Sequence, residues 1–319
     1  MAHSLDLHVQ GFGRIHRGQG RTVGDAERDA TVAGMPTNMT DGDLLLRLEP
    51  AVEENLNRHI EEAEDWHPHD FAPWSDGKNF AFLGGEDWSP EQSHLSDVEI
   101  LSATVGVLVA DNLPAYHREL ARALTGLGAW WKWTGRWTSE ENRQAIVLRD
   151  YMVLTRAVDP VALERVRMEE MTKGYDAPSL HVLDIIAHFA IDETAAALRN
   201  TNTVALGGDD VLAKIFTKIA ADDTLQATFY VNVVNEAFGV VPDQMMRAIA
   251  DRVTGFAIPV VDLPSKANST EALKEAGIYD EDQQKEKVFK PLLERWNFFG
   301  RDGLGDEGKK AREELAHLA

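Results

Sequence analysis

The sequence predicts an all-α protein organised as a helical bundle, and three observations carry that prediction. Four long stretches, roughly 94–125, 138–157, 180–202 and 208–236, repeat apolar residues at i, i+3, i+4 and i+7, which puts them on one face of a helix. Strand-like alternation is confined to VVPDQ and AIPVVDLP, which Pro242, Pro259 and Pro264 interrupt. No self-similarity recurs at a solenoid period, so the long helices are expected to pack on one another.

Residues 1–40 are rich in Gly, Arg, Thr and Asp with little periodicity, and predict a flexible N-terminal arm; residues 41–319 predict a single domain. Asp41 can cap an entry helix in which Leu44, Leu45, Leu48, Val52 and Leu56 recur at helical spacing to about Glu64. WHPHDFAPWSDGKNFAFLGG, from Trp66 to Gly85, breaks the pattern with prolines and glycines and predicts an ordered loop. Beyond the four long stretches, shorter helices are expected at about 160–173, 242–255, 283–298 and 306–318.

With 44% hydrophobic residues in 319, the chain can bury a large core. It has no cysteine, which removes disulfides, zinc–thiolate sites and thiol nucleophiles by inventory, and a reducing cytoplasm is the expected compartment. No apolar run approaches the roughly 18 residues of a spanning helix, so no membrane partner is expected. A net charge of −21 repels phosphate backbones and argues against nucleic acid as a partner.

Carboxylates on apolar helix faces are the informative feature. Glu193 in HFAIDETAAAL has Phe189, Ala190, Ala196 and Ala197 as helical neighbours. Glu141 in TSEENRQAIVL and Asp223 in IAADDTLQATFY each have a glutamine three residues on, Gln144 and Gln226, on the same face. One glutamate in such a place is readily a polar residue at a helix margin. Three from three helices are another matter, because a buried carboxylate costs several kcal/mol unless it is paired, protonated or bound to metal.

The segments LEPAVEENLNRHI, WHPHDFAPWSDGKNFAFLGG, DNLPAYHREL, GRWTSEENRQAIVLRDYMVLTRAVDPVALERVR, IDETAAALRNTNT, KIAADDTLQATFY and EAFGVVPDQMM resemble the acyl-acyl-carrier-protein fatty-acid desaturases. The actinobacterial branch is the most similar, and the resemblance runs from about Asp41 to His317. It implies a ferritin-like four-helix bundle with additional flanking helices, a homodimer, and two iron ions held by a Glu, a Glu-x-x-His, a lone Glu and a second Glu-x-x-His.

On that pattern Glu141, Glu193 and Asp223 stand at carboxylate ligand positions. Ala110 stands where the first-helix Glu would be, and Gln144 and Gln226 where the two histidines would be. Asp111 cannot replace Ala110, being about 100° further round the helix. The family threonine that handles activated oxygen corresponds to Ala196. Loss of two imidazoles and a carboxylate predicts no metal or partial occupancy, with Gln144 and Gln226 hydrogen-bonding to the remaining carboxylates. A mononuclear site at His188, one turn from Asp184 and Asp192, is the rival to a helix-face histidine packed on a neighbour.

The resemblance with these losses implies a non-catalytic homologue that binds an acyl chain or acyl carrier protein, or that pairs with an active paralogue in a heterodimer. The alternative is an active desaturase with an altered metal centre, using O2 and a ferredoxin-type donor. A third reading is a structural helical protein without a ligand. Acyl carrier proteins are acidic, so docking needs a local basic patch, for which Arg118, Arg122, Lys132 and Arg136 are candidates. The competing reading is that these cations are solvated and the tryptophans of WWKWTGRW are packing residues.

Overall fold

Side chains that satisfy free backbone N–H groups mark where helices begin in the computed structural model, which describes residues 39–124, 128–256 and 269–319. Thr40, rather than Asp41, caps α1 (Asp41–Glu62), and its hydroxyl accepts from the Asp43 amide. A short α2 (Pro68–Phe71) and three single 3₁₀ turns make up the loop that follows. Ser96 and Glu99 form a capping box at the start of α3 (Asp97–Asp111).

Asn112 and Pro114 then end α3 and start α4 (Leu113–Ala123), with a 42° bend between the two. The single helix expected over 94–125 is therefore two, because Pro114 lacks the N–H that would continue the ladder and fits the first turn of a new helix. Next come α5 (Ala129–Leu154), α6 (Pro160–Lys173), α7 (Val182–Ala205), α8 (Asp210–Val240) and α9 (Pro242–Gly255). The second long helix begins well before the expected 138, since WWKWTGRW is helical despite Gly135. Trp130, Trp133 and Trp137 are buried while Trp131 is exposed.

The chain closes with α10 (Ser269–Glu275), α11 (Glu281–Gln283), a π-helical turn (Gln284–Phe289), α12 (Lys290–Arg295) and α13 (Asp306–Glu314). The π turn precedes Pro291, whose missing N–H and ring cannot join a regular i to i−4 ladder. No strand occurs among the described residues.

Contacts divide the chain into residues 1–36 and 37–319. The expected flexible arm lies, but for its last two residues, outside the described residues, as does all of AIPVVDLP. Among the described residues no single helix is long and apolar enough to cross a membrane; the bent pair α3–α4 passes by length and composition alone.

Helices α7 and α8 make the most extensive pairing, α3 packs along α5, and α1 lies against both α5 and α8. Two apolar clusters fill the bundle. One holds Trp133, Trp137, Phe189 and Tyr230, and the other Leu148, Phe216 and Ile219. On α5, Glu141 and Gln144 fall between Trp137 and Leu148; on α8, Asp223 and Gln226 fall between Ile219 and Tyr230. The polar residues thus form a layer between two dry halves of the core.

At one point on α3 the bundle is closely packed: a Cβ at Gly106 would come within 2.9 Å of Leu148 Cδ1. This is why α3 can lie so near α5.

Candidate functional site

A cavity of about 90 Å³ runs between α3, α5, α7 and α8, with Tyr116 of α4 and Leu273 and Ile278 of the α10 region on its wall. Its polar floor brings together the three expected carboxylates. Glu141, Glu193 and Asp223 each offer an oxygen within 4.8 Å of the others, and they are the one such group of three potential metal-ligating residues among the described residues. Glu193 and Asp223 are buried; Glu141 is half-buried, and the surface it keeps faces the cavity. Ala110, Gln144 and Ala196 line the same wall, while Gln226 lies fully buried behind it.

Hydrogen bonds close this layer from within the protein. Gln144 Nε2 donates to Glu141 Oε1 at 3.1 Å and to Asp223 Oδ1 at 2.9 Å, so one amide bridges two carboxylates. Asn200 Nδ2 donates to Asp223 Oδ2 at 2.7 Å, and Trp137 Nε1 to Glu193 Oε1 at 2.7 Å. Gln144 therefore behaves as expected. Gln226 differs: its Nε2 donates at 3.2 Å to Glu140, which is not one of the three ligand-position carboxylates. Its Oε1 has no donor.

Proton affinity in the layer is high. Burial first, then repulsion from Asp223, pushes Glu141 well above the ordinary carboxylate range; burial, then Glu141 and Asp223, does the same to Glu193. Asp223 is pushed up to about 7 by burial, against the hydrogen bonds from Asn200 and Gln144.

A second polar cluster, which sequence reasoning missed, lies directly behind the first. Buried His59 places Nε2 3.0 Å from both oxygens of buried Glu140, which also accepts from Arg136. Burial pushes Glu140 upward, but the hydrogen bond and charge of His59 with the charge of Arg136 outweigh it and hold the carboxyl below its usual range. On the neighbouring helix, Asp222 accepts from Arg143 at 2.7 Å and from Trp66 Nε1 at 3.1 Å. The signal for both was in the doublets Glu140–Glu141 and Asp222–Asp223, where the second carboxylate points about 100° away from the first.

The other candidate residues do not join the site. His188 Nε2 lies 3.2 Å from the Tyr175 hydroxyl and its ring packs against Phe189. It is absent from the carboxylate group, as are Asp184 and Asp192. Of the four docking candidates, Arg118 and Arg122 on α4 both donate to buried Glu119, and Arg118 also to Asp176 and the Tyr175 carbonyl. Arg136 on α5 is engaged by Glu140, and Lys132 is exposed. Three of the four cations are already neutralised by carboxylates of the same chain.

The fatty acid desaturase family profile matches residues 40–319. The chain belongs to this family. Within it, DesA1 of Mycobacterium tuberculosis, which carries the name acyl-acyl-carrier-protein desaturase, is 40% identical over 290 residues, covering 88% of this chain and 86% of DesA1. DesA2 of the same organism is 35% identical over 262 residues, 82% of this chain and 94% of its own. A stearoyl-acyl-carrier-protein 9-desaturase of Simmondsia chinensis is 29% identical over 297 residues. The X-ray structure of DesA2 superposes with a TM-score of 0.69 at 30% identity, covering 87% of this chain and 99% of that one.

These matches place the chain in the actinobacterial branch of the acyl-acyl-carrier-protein desaturases and give it their ferritin-like fold. For such a family the acyl carrier protein is the implied bearer of the substrate, and two irons are the implied cofactor.

Proposed function

We propose that this family member does not desaturate, and that it acts by binding an acyl chain in the cavity beside a layer of carboxylates that no longer holds two irons. One observation carries the reading: the amide of Gln144 bridges Glu141 and Asp223, taking the place where an imidazole and a cation would stand. An amide N–H donor directed at two carboxylate oxygens repels a cation at that point, and a neutral amide oxygen is a weak ligand for iron.

The donor set does not fit a two-iron centre. It comprises three carboxylates, Glu141, Glu193 and Asp223, with Ala110 at the fourth position and no imidazole at the other two. Changing a single outer-shell partner already costs on the order of 10- to 100-fold in metal affinity. The cavity persists beside this layer, lined by Val105, Val109, Leu148, Phe189 and Ile219, which supports chain binding over a purely structural role.

A second reading, desaturation at an altered metal centre, draws on two features. The three carboxylate oxygens still converge within 4.8 Å, and Gln226 Oε1 lies buried without a donor. Anaerobic reconstitution with ferrous iron followed by elemental analysis separates the two. Less than a tenth of an iron per chain is expected; about two per chain overturns the proposal and makes turnover with O2 and a ferredoxin the next measurement.

The same reading extends to partners. A dimer with a catalytically complete paralogue would let this subunit present an acyl chain without chemistry of its own. Co-expression of the two tagged chains followed by tandem affinity capture tests that pairing.

A further inference from the structure

Among the described residues Arg199 is the one cation on the wall of the cavity. It sits on the α7 face that also carries Asp192, Ala196 and Thr203, all lining residues. Its Nη1 is buried and has no hydrogen-bond partner, and Arg199 enters no ion pair among the described residues. Its contact is with the ring of Tyr279, whose centroid lies 5.5 Å from the guanidinium carbon. Tyr279 is 2% exposed, and its hydroxyl too is unpaired.

Arg199 as a whole is half-buried, but its Nη1 is sealed from water without an acceptor, and a polar atom left so is one that a bound ligand can complete. The carboxylates nearby do not fill that role. Asp223 is tied to Asn200 and Gln144, and Asp192, two turns back on α7, is not within ion-pair distance.

The wall also carries Val105, Val109, Leu273 and Ile278. The lining follows α7 from Phe189 to Thr203, about 21 Å at roughly 1.5 Å per residue. That length suits a long hydrocarbon chain with one anionic end.

We propose that the cavity binds a long-chain carboxylic acid, with the Arg199 guanidinium as the anchor for its carboxylate. The inference rests on the reading of the cavity as an acyl site, and adds that the ligand is a free acid and not only a chain esterified to a carrier. It accords with the engagement of Arg118, Arg122 and Arg136 by carboxylates of this chain, which leaves little basic surface for an acidic carrier.

Titration of the full chain with hexadecanoic acid and with 1-hexadecanol, followed through fluorescence of Trp137 on the cavity wall, tests the proposal. The acid is expected to bind at least about 10-fold more tightly than the alcohol, as a charge-assisted hydrogen bond provides. In Arg199→Met the ratio falls to about one, and in Arg199→Lys most of the preference returns. Equal binding of acid and alcohol by the unaltered protein, or a preference that survives in Arg199→Met, overturns the anchor while leaving the acyl site standing. Binding of neither compound overturns both. Hexadecanol binding by Arg199→Met shows that the variant is folded.

Discussion

Gln144 and Asp223 are joined by a 2.9 Å hydrogen bond across the bundle, between side chains 79 residues apart, and the same amide nitrogen reaches Glu141 on its own helix at 3.1 Å. Where the family pattern has an imidazole beside a cation, this chain has a neutral donor that joins two acids. The layer is thereby satisfied from within the protein, and this arrangement determines how it responds to substitution, pH and metal.

Restoring the family donors should restore the family metal. A variant carrying Ala110→Glu, Gln144→His and Gln226→His is expected to take up about two ferrous ions per chain under anaerobic conditions where the unaltered protein takes up none, since imidazole nitrogen and carboxylate oxygen together suit iron. Elemental analysis of both proteins after gel filtration checks this.

Stability should fall as pH rises through neutrality. Asp223, pushed up to about 7 mainly by burial, holds its proton more tightly folded than unfolded. Its contribution is complete below the ordinary carboxylate value near 4 and is lost as pH passes the folded value. Glu141 and Glu193, both raised, act in the same sense. Thermal melts of metal-free protein should give a lower Tm at pH 8 than at pH 6. Glu193→Gln should flatten that slope, because the amide has no charge to bury.

The layer behind responds the other way. Glu140 is held below its usual range, so its stabilisation is present at neutral pH and lost on acidification. His59→Leu leaves Glu140 with Arg136 and Gln226 but removes the buried imidazole, at an expected cost of about 2–4 kcal/mol. The double variant His59→Leu, Glu140→Leu should recover part of that loss, because the buried carboxylate is gone and Arg136, with its side chain 34% exposed, can turn to water. Urea denaturation at pH 7 measures both.

Filling the cavity should block the ligand without harming the fold. Ala110 is 5% exposed and lines the wall where the family pattern has a larger side chain. Ala110→Leu is expected to weaken long-chain binding by at least about 10-fold and to leave Tm within a few degrees, since the added methyl groups enter existing space. Fluorescence titration and a thermal melt report the two effects.

Much of this was legible along the chain because helical periodicity is local. Glu141, Glu193 and Asp223 stood out because apolar residues recur one turn away on the same helix face, which is enough to turn a carboxylate inward. The break at Asn112 was not, since Pro114 is tolerated within a first turn and the apolar pattern runs on past it. Nor was Glu140: its partner His59 lies 81 residues away, and nothing near either residue announces the other.

By itself the sequence determined most of the helices and the inward carboxylates, since each is written in residue type and short-range spacing, and its motifs carried the family. Tertiary structure alone decided which donors satisfy those acids, because hydrogen bonds form between whatever groups packing brings within about 3 Å. It also decided that Arg199, set in the polar run RNTNT, faces an internal cavity with a guanidinium nitrogen unpaired. A charged residue among polar neighbours reads as surface until the ring of Tyr279, far along the chain, packs against it.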